Sequence, residues 1–361
     1  MKNLLLLVFC LWQGAVWGQT SHRNKSQKEF EKIYAYALRG EMSNVFEILQ
    51  SVNDQQLTSK QRVRKKAFYD RFIYKAEKFD YRTTNSEMIG LYKRFQNYWH
   101  SVLIEKVDQK IADSLFRNEM AYYLQRAYKP KMDIKEIRKK MYGLFQKYLR
   151  SKGFYGLVMG KTGILFDLYL WQNEKEVVYD VQLPEAKIKV PVVFMQNFIS
   201  YGWSHYATLG RSSSGGWVGA QKIFCVEEAY NIKSENFKVS YVTHEGQHFV
   251  DRKMFPKLVQ ADLEYRAKLT ELSYANKSLY KVINHFIKYA KNDKKYAHAY
   301  ANYFVIRKLS KTLFKKEFEG DLEKWKKVPV KKINKISKKI LKANTKMLKS
   351  KGAKTVTSVI L

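Results

Sequence analysis

Cysteine is scarce. Two residues among 361, one of them inside the N-terminal apolar stretch, exclude a disulfide scaffold. Long apolar runs are missing too: beyond Leu4–Trp12, itself far short of the roughly 20 residues of a membrane-spanning helix, there is none. Glycine and proline are rare between Lys28 and Arg150, so that region reads as helices rather than loops. Acidic residues are outnumbered, 33 Asp and Glu against 67 Lys and Arg, which leaves a formal charge of +34. A field of that sign gathers anions such as lipopolysaccharide, teichoic polymers or acidic peptides. The excess is mostly lysine, without arginine's bidentate geometry, so sequence-specific nucleic-acid binding is not expected.

What is present is a core. Apolar residues make up 45% and aromatics 15%, too much surface to leave in water, so the chain folds. Its first residues combine a lysine, the short apolar run and small residues before Gln19, the pattern of a cleaved signal peptide over 1–18. Export to a periplasmic or extracellular location follows, with no transmembrane span. Phe9 before Cys10 is unsuited to lipid attachment. Loss of the leader leaves Cys225 alone, within the apolar run Lys222–Val226, as a buried strand residue with no group to stabilise a thiolate.

The organisation expected is α+β: a helical domain over 19–150, a catalytic domain over 151–290 and a basic helical tail over 291–361. Phe30, Ile33, Tyr34 and Ala37 share one helical face, and Gly40 breaks to a second helix, a pairing that resembles a tetratricopeptide-type hairpin without a second copy. Strands are expected over 164–171, 177–183, 188–195 and 217–226, with a long loop from Gly202 to Gly219. A helix over 237–255 follows, with Ser234 as its cap and Pro256 as its stop, and a second from Ala261 to about Lys288. The stretch 281–361 carries 23 Lys or Arg against 5 Asp or Glu, with Ile333, Ile336, Ile340 and Met347 as an apolar stripe.

The chemistry lies in His244-Glu245-Gly246-Gln247-His248. Two histidines four apart on a helix sit one above the other and can grip a single zinc ion (Zn2+). Glu245 lies beside that face, placed to take a proton from the water such an ion activates. No histidine follows between Phe249 and Pro256, but Glu264 lies across the proline break, on what should be the next helix, followed by Ala267.

This arrangement resembles the gluzincin group of the zincin metallopeptidases. The resemblance implies a zincin-like domain, with a small mixed sheet, the motif helix and a ligand helix. It implies His244, His248 and Glu264 as metal ligands, Glu245 as general base and Ala267 as a packing residue between helices. Glu271, Asp262, His285 and His298 are rivals of Glu264. His205 and Tyr206 are the favoured candidates for stabilising an oxyanion, ahead of Arg211, Tyr241 and Arg266. The strand 222–226 is expected at the sheet edge, where an extended peptide or protein substrate would pair. Metal-assisted hydrolysis of a peptide bond is the reaction expected. A zinc amidase acting on cell-wall amides, or an exported binding protein for an anionic cell-surface polymer, are the other readings. Gly160-Lys161-Thr162 lacks the first glycine of a phosphate loop, and Ser212–Gly216 lacks a nucleophile elbow.

Overall fold

Four helices of the glycine-poor region begin where a side chain satisfies free amides of the first turn. The computed structural model describes residues 25–129, 131–219 and 221–360, so the expected leader over 1–18 lies outside the described residues. The helices are α1 (Lys25–Leu38), α2 (Met42–Ser51), α3 (Ser59–Phe72), α4 (Ser86–Leu103), α5 (Gln109–Ala127) and α6 (Ile134–Ser151). Thr58 and Gln61 form a reciprocal capping box at α3, and Asn85, Asp108 and Asp133 cap α4, α5 and α6. Phe30, Ile33, Tyr34 and Ala37 are the buried face of α1, as their spacing requires. Gly40, at φ +76°, makes the turn into α2, and a Cβ there would collide with Ile164.

Packing divides the chain into two compact units. Within the described residues, one holds 25–175 and Met195–Gly215, the other Glu176–Phe194 and 216–360. The first is built on α1–α6, with β1 (Tyr155–Thr162) paired antiparallel to the start of β2 (Leu165–Gln182). Its core gathers Phe68, Phe95, Trp99, Phe116 and Phe145, and Trp99 donates to the Phe166 carbonyl at 2.8 Å. Gly160-Lys161-Thr162 ends strand β1, in a hairpin rather than a strand–loop–helix.

The second unit takes the far ends of β2 and β3 (Lys187–Tyr201), then β4 (Gly216–Val218) and β5 (Ile223–Val226). A π-helical segment, Asn236–Thr243, runs into α8 (His244–Met254). After it come α9 (Gln260–Tyr274), α10 (Leu279–Lys288), α11 (Ala297–Phe314), α12 (Leu322–Lys326) and α13 (Val330–Ser350). The chain is therefore α+β. The strand order of its sheet is β1-β2-β3-β5-β4.

Several expectations change. The two strands read at 164–171 and 177–183 are one, β2. The segment read as a loop from Gly202 to Gly219 contains the short helix α7 (Trp203–Ala207) and β4. The helix read from Ala261 to Lys288 breaks at 275–278, where the Glu235 carboxylate accepts from the amides of Asn276, Lys277 and Ser278. The strand at 222–226 is not the edge: β5 lies between β3 and β4, so its two sides are occupied. The basic segment after 290 is helical and packs inward, since α11 and α13 both lie against α9 and bury Ile306, Leu309, Ile333 and Leu341 with Leu269 and Leu272.

Candidate metal centre

Both histidines of the motif sit on α8, entered from the π-helical segment, whose Thr243 hydroxyl donates to the carbonyl of Lys238. Wide turns of this kind are rare and recur at functional sites. Ser234 accepts from the Phe237 amide at 3.1 Å and so caps the entry, as its position predicts. Gly246 lets α8 approach the β2–β3 hairpin. A Cβ there would stand 3.2 Å from both Ile188 Cδ1 and Val190 Cγ2.

The opposite face of α8 meets α9. Every residue of α9 from Ala261 through Ser273 is buried, an unusual state for a helix that includes Asp262, Glu264, Arg266, Lys268 and Glu271. Each charge must therefore find a partner. Arg266 Nη2 lies 2.9 Å from Asp251 Oδ1 on α8, and its Nη1 donates to Asn344 of α13 at 2.7 Å. Gln247 donates to Asp251 and accepts from the Thr270 hydroxyl, both at 2.9 Å. This polar lattice clamps α8, α9 and α13 behind the motif.

In front of it, the Glu264 carboxylate stands between the two imidazoles. Its Oε2 is 3.5 Å from His244 Nε2 and its Oε1 is 3.4 Å from His248 Nε2. His248 and Glu264 are fully buried, and His244 and Glu245 nearly so. The potential ligand atoms of His244, Glu245 and His248 also lie within 4.8 Å of one another. Glu264 approaches the two Nε2 atoms with a different oxygen each, and Glu245 Oε2 stands 3.9 Å from His248 Nε2. Five buried atoms here lack a partner in hydrogen-bond geometry, His244 Nδ1, Glu245 Oε2, both ring nitrogens of His248, and Glu264 Oε2, although His298 Nδ1 stands 3.0 Å from the last and Glu271 Oε2 3.5 Å from the first. Such a concentration of unpaired buried polar atoms calls for a missing partner. Tetrahedral zinc bonded at about 2.0–2.1 Å leaves its donor atoms about 3.3–3.4 Å apart, close to the distance from each Glu264 oxygen to its nearer imidazole nitrogen.

Electrostatics point the same way. Burial alone would depress His244, but the carboxylates of Glu264 and Glu271 overcome it and raise its pKa to about 10. Burial would raise Glu264, yet His298, His244 and His248 hold it well below the usual carboxylate range. The cluster favours positive charge.

Of the rival ligands, Glu271 Oε2 lies 3.5 Å from the other nitrogen of His244, Nδ1, where a carboxylate orients the ring instead of sharing its ligand atom. Asp262 is engaged with the Ser358 hydroxyl and the amides of Val359 and Ile360. His285 packs on Tyr289, ring centroids 4.7 Å apart. His298, carried in by α11, reaches Glu264 Oε2 at 3.0 Å and is the exposed member of the cluster. Lys268 Nζ, 3.9 Å from the same oxygen and over the Phe286 ring, was not foreseen, though its i+4 spacing from Glu264 was visible. Ala267 is wholly buried.

His205 and Tyr206 belong to the other unit. Tyr206 sits in that unit's core against Phe72 and Trp99, with Arg71 over its ring. His205 packs on Tyr201, and burial, with Arg71 and Arg82 nearby, lowers its pKa to about 4. Arg211 lies over Tyr34 in the same unit, and Tyr241 donates to the Phe224 carbonyl at 3.0 Å. Cys225 is buried, and burial pushes its thiol far up. Compared with protein-family models, with curated proteins and with solved structures, the chain finds no match, so its centre is read from its own geometry.

Proposed function

We propose that this chain is a metal-dependent hydrolase of the zincin type, and within that class an exported zinc metallopeptidase. The observation that carries the reading is the Glu264 carboxylate held between the Nε2 atoms of His244 and His248. His244, His248 and Glu264 are the residues that would hold the ion, and a His2Glu donor set suits zinc. When bound, zinc supplies a water of near-neutral pKa and polarises the substrate carbonyl. Glu245 Oε2, buried and without a hydrogen-bond partner, would take the proton from the attacking water and return it to the leaving amine. Glu271 faces the Nδ1 side of the His244 ring at 3.5 Å. His298, exposed beside Glu264, is the side chain placed to meet the substrate.

A peptide-library digest tests this reading. Cleavage by the wild type that Glu245→Ala abolishes supports a peptidase, whereas intact peptides with hydrolysis of cell-wall amides support the amidase. No turnover of either kind leaves the exported, basic binding protein, a reading favoured by the charge of +34.

A further inference from the structure

Helix α13 carries eight lysines, at 331, 332, 335, 338, 339, 342, 346 and 349, and no arginine, aspartate, glutamate or aromatic residue. At 100° per residue all eight fall within about 120° of arc. Lys332, Lys335, Lys339, Lys342, Lys346 and Lys349 alternate three and four apart, a line about 26 Å long. Seven of the eight are exposed; Lys338 is half-buried, its Nζ over the Tyr274 ring. Among the described residues, no ion pair involves any of them, although elsewhere the lysines are often paired, as Lys139 and Lys140 are with Glu136. The carboxylate that reaches this helix, Glu185, is bonded to Thr345 on its flank. Like charges are thus lined up without compensation, at an electrostatic cost to the free protein that a counter-surface would remove.

We propose that the outer face of α13 is a docking surface for an anionic lipid bilayer. Charge complementarity selects an anionic partner, and the chemistry of the face selects its kind. Without arginine there is no bidentate fork for individual phosphates, and without aromatics there is no platform for nucleobases, the two devices of single-strand recognition. Lysine ammoniums are hydrated point charges suited to a diffuse layer of headgroups. The apolar face of α13 is used up inside the unit, where Ile333, Leu341 and Leu348 are fully buried. The helix therefore cannot insert as an amphipathic anchor would. No helix among the described residues is long and apolar enough to cross a membrane. Attachment is peripheral, electrostatic and reversible by salt. This inference is independent of the metal centre.

The test is co-sedimentation of the full chain with vesicles of one part phosphatidylglycerol to three parts phosphatidylcholine, beside pure phosphatidylcholine, at low and high salt. The wild type is expected to bind the anionic vesicles only, and to be released at high salt. Lys335→Gln, Lys339→Gln, Lys342→Gln and Lys346→Gln together should weaken binding by at least about tenfold. The matching arginine variant should retain it, and melting temperatures check that each variant folds. Four glutamines at Lys135, Lys139, Lys140 and Lys147 of α6 remove the same charge from another helix and should have little effect. The proposal is overturned if both glutamine sets weaken binding equally, or if the α13 set leaves it intact. It is also overturned if the protein ignores anionic vesicles, whether or not it holds soluble polyphosphate through α13.

Discussion

Arg266 and Asp251 form an ion pair, Nη2 to Oδ1 at 2.9 Å, in which neither side chain sees solvent. It links α9 to α8 one turn beyond His248, so the arrangement of the candidate ligands depends on it. Breaking a buried pair leaves one uncompensated charge, and Arg266→Ala or Asp251→Ala should each cost about 3–5 kcal/mol in denaturant unfolding. Removing both, as Arg266→Met with Asp251→Leu, should cost less than the two single changes summed.

Gly246 faces Ile188, Val190 and Val181 of the β2–β3 hairpin. Gly246→Val would press its side chain into Ile188 and Val190, and should destabilise the protein by about 1–3 kcal/mol. Gly246→Ala adds only the Cβ and gains about 1 kcal/mol of helix propensity, so its melting temperature should stay near the wild type.

Glu235 ends α9 from a distant part of the chain. Its carboxylate takes three amides and the Ser278 hydroxyl, and this bonding overcomes burial to hold its pKa below the usual range. Glu235→Ala should lose about 1–3 kcal/mol, and hydrogen exchange at residues 276–278 should quicken.

His205 sets a pH dependence. Burial lowers its folded pKa to about 4 against an ordinary 6.5, so the unfolded chain binds the extra proton first. Its contribution is complete above the unfolded value and is lost as pH falls through 6.5 towards 4. His205→Gln should flatten the stability curve over that interval in chemical denaturation.

These features differ in how visible they are in the sequence. Helices α1, α4 and α6 declare themselves by apolar periodicity, and the motif and Glu264 by spacing, whereas α3 buries only Phe68 and Phe72 and carries no such stripe. The continuity of β2 does not, because Gln172 to Glu176 are exposed and polar and carry no strand pattern. The break after α9 is hidden because Glu235 makes it from a distance. The burial of α9 is hidden because its charges are paired with residues of other helices. His298 arrives on α11, a separation along the chain that only the packing of α11 on α9 closes. The interior position of β5 depends on pairing order, which local sequence does not encode.

The central claim is that His244, His248 and Glu264 share one divalent cation. Metal analysis of the purified wild type beside His248→Ala and Glu264→Gln tests it most directly. About one zinc per wild-type chain is expected, lost from both variants, with a lower wild-type melting temperature after chelation. A wild type without metal, or variants that keep it in full, would contradict the account.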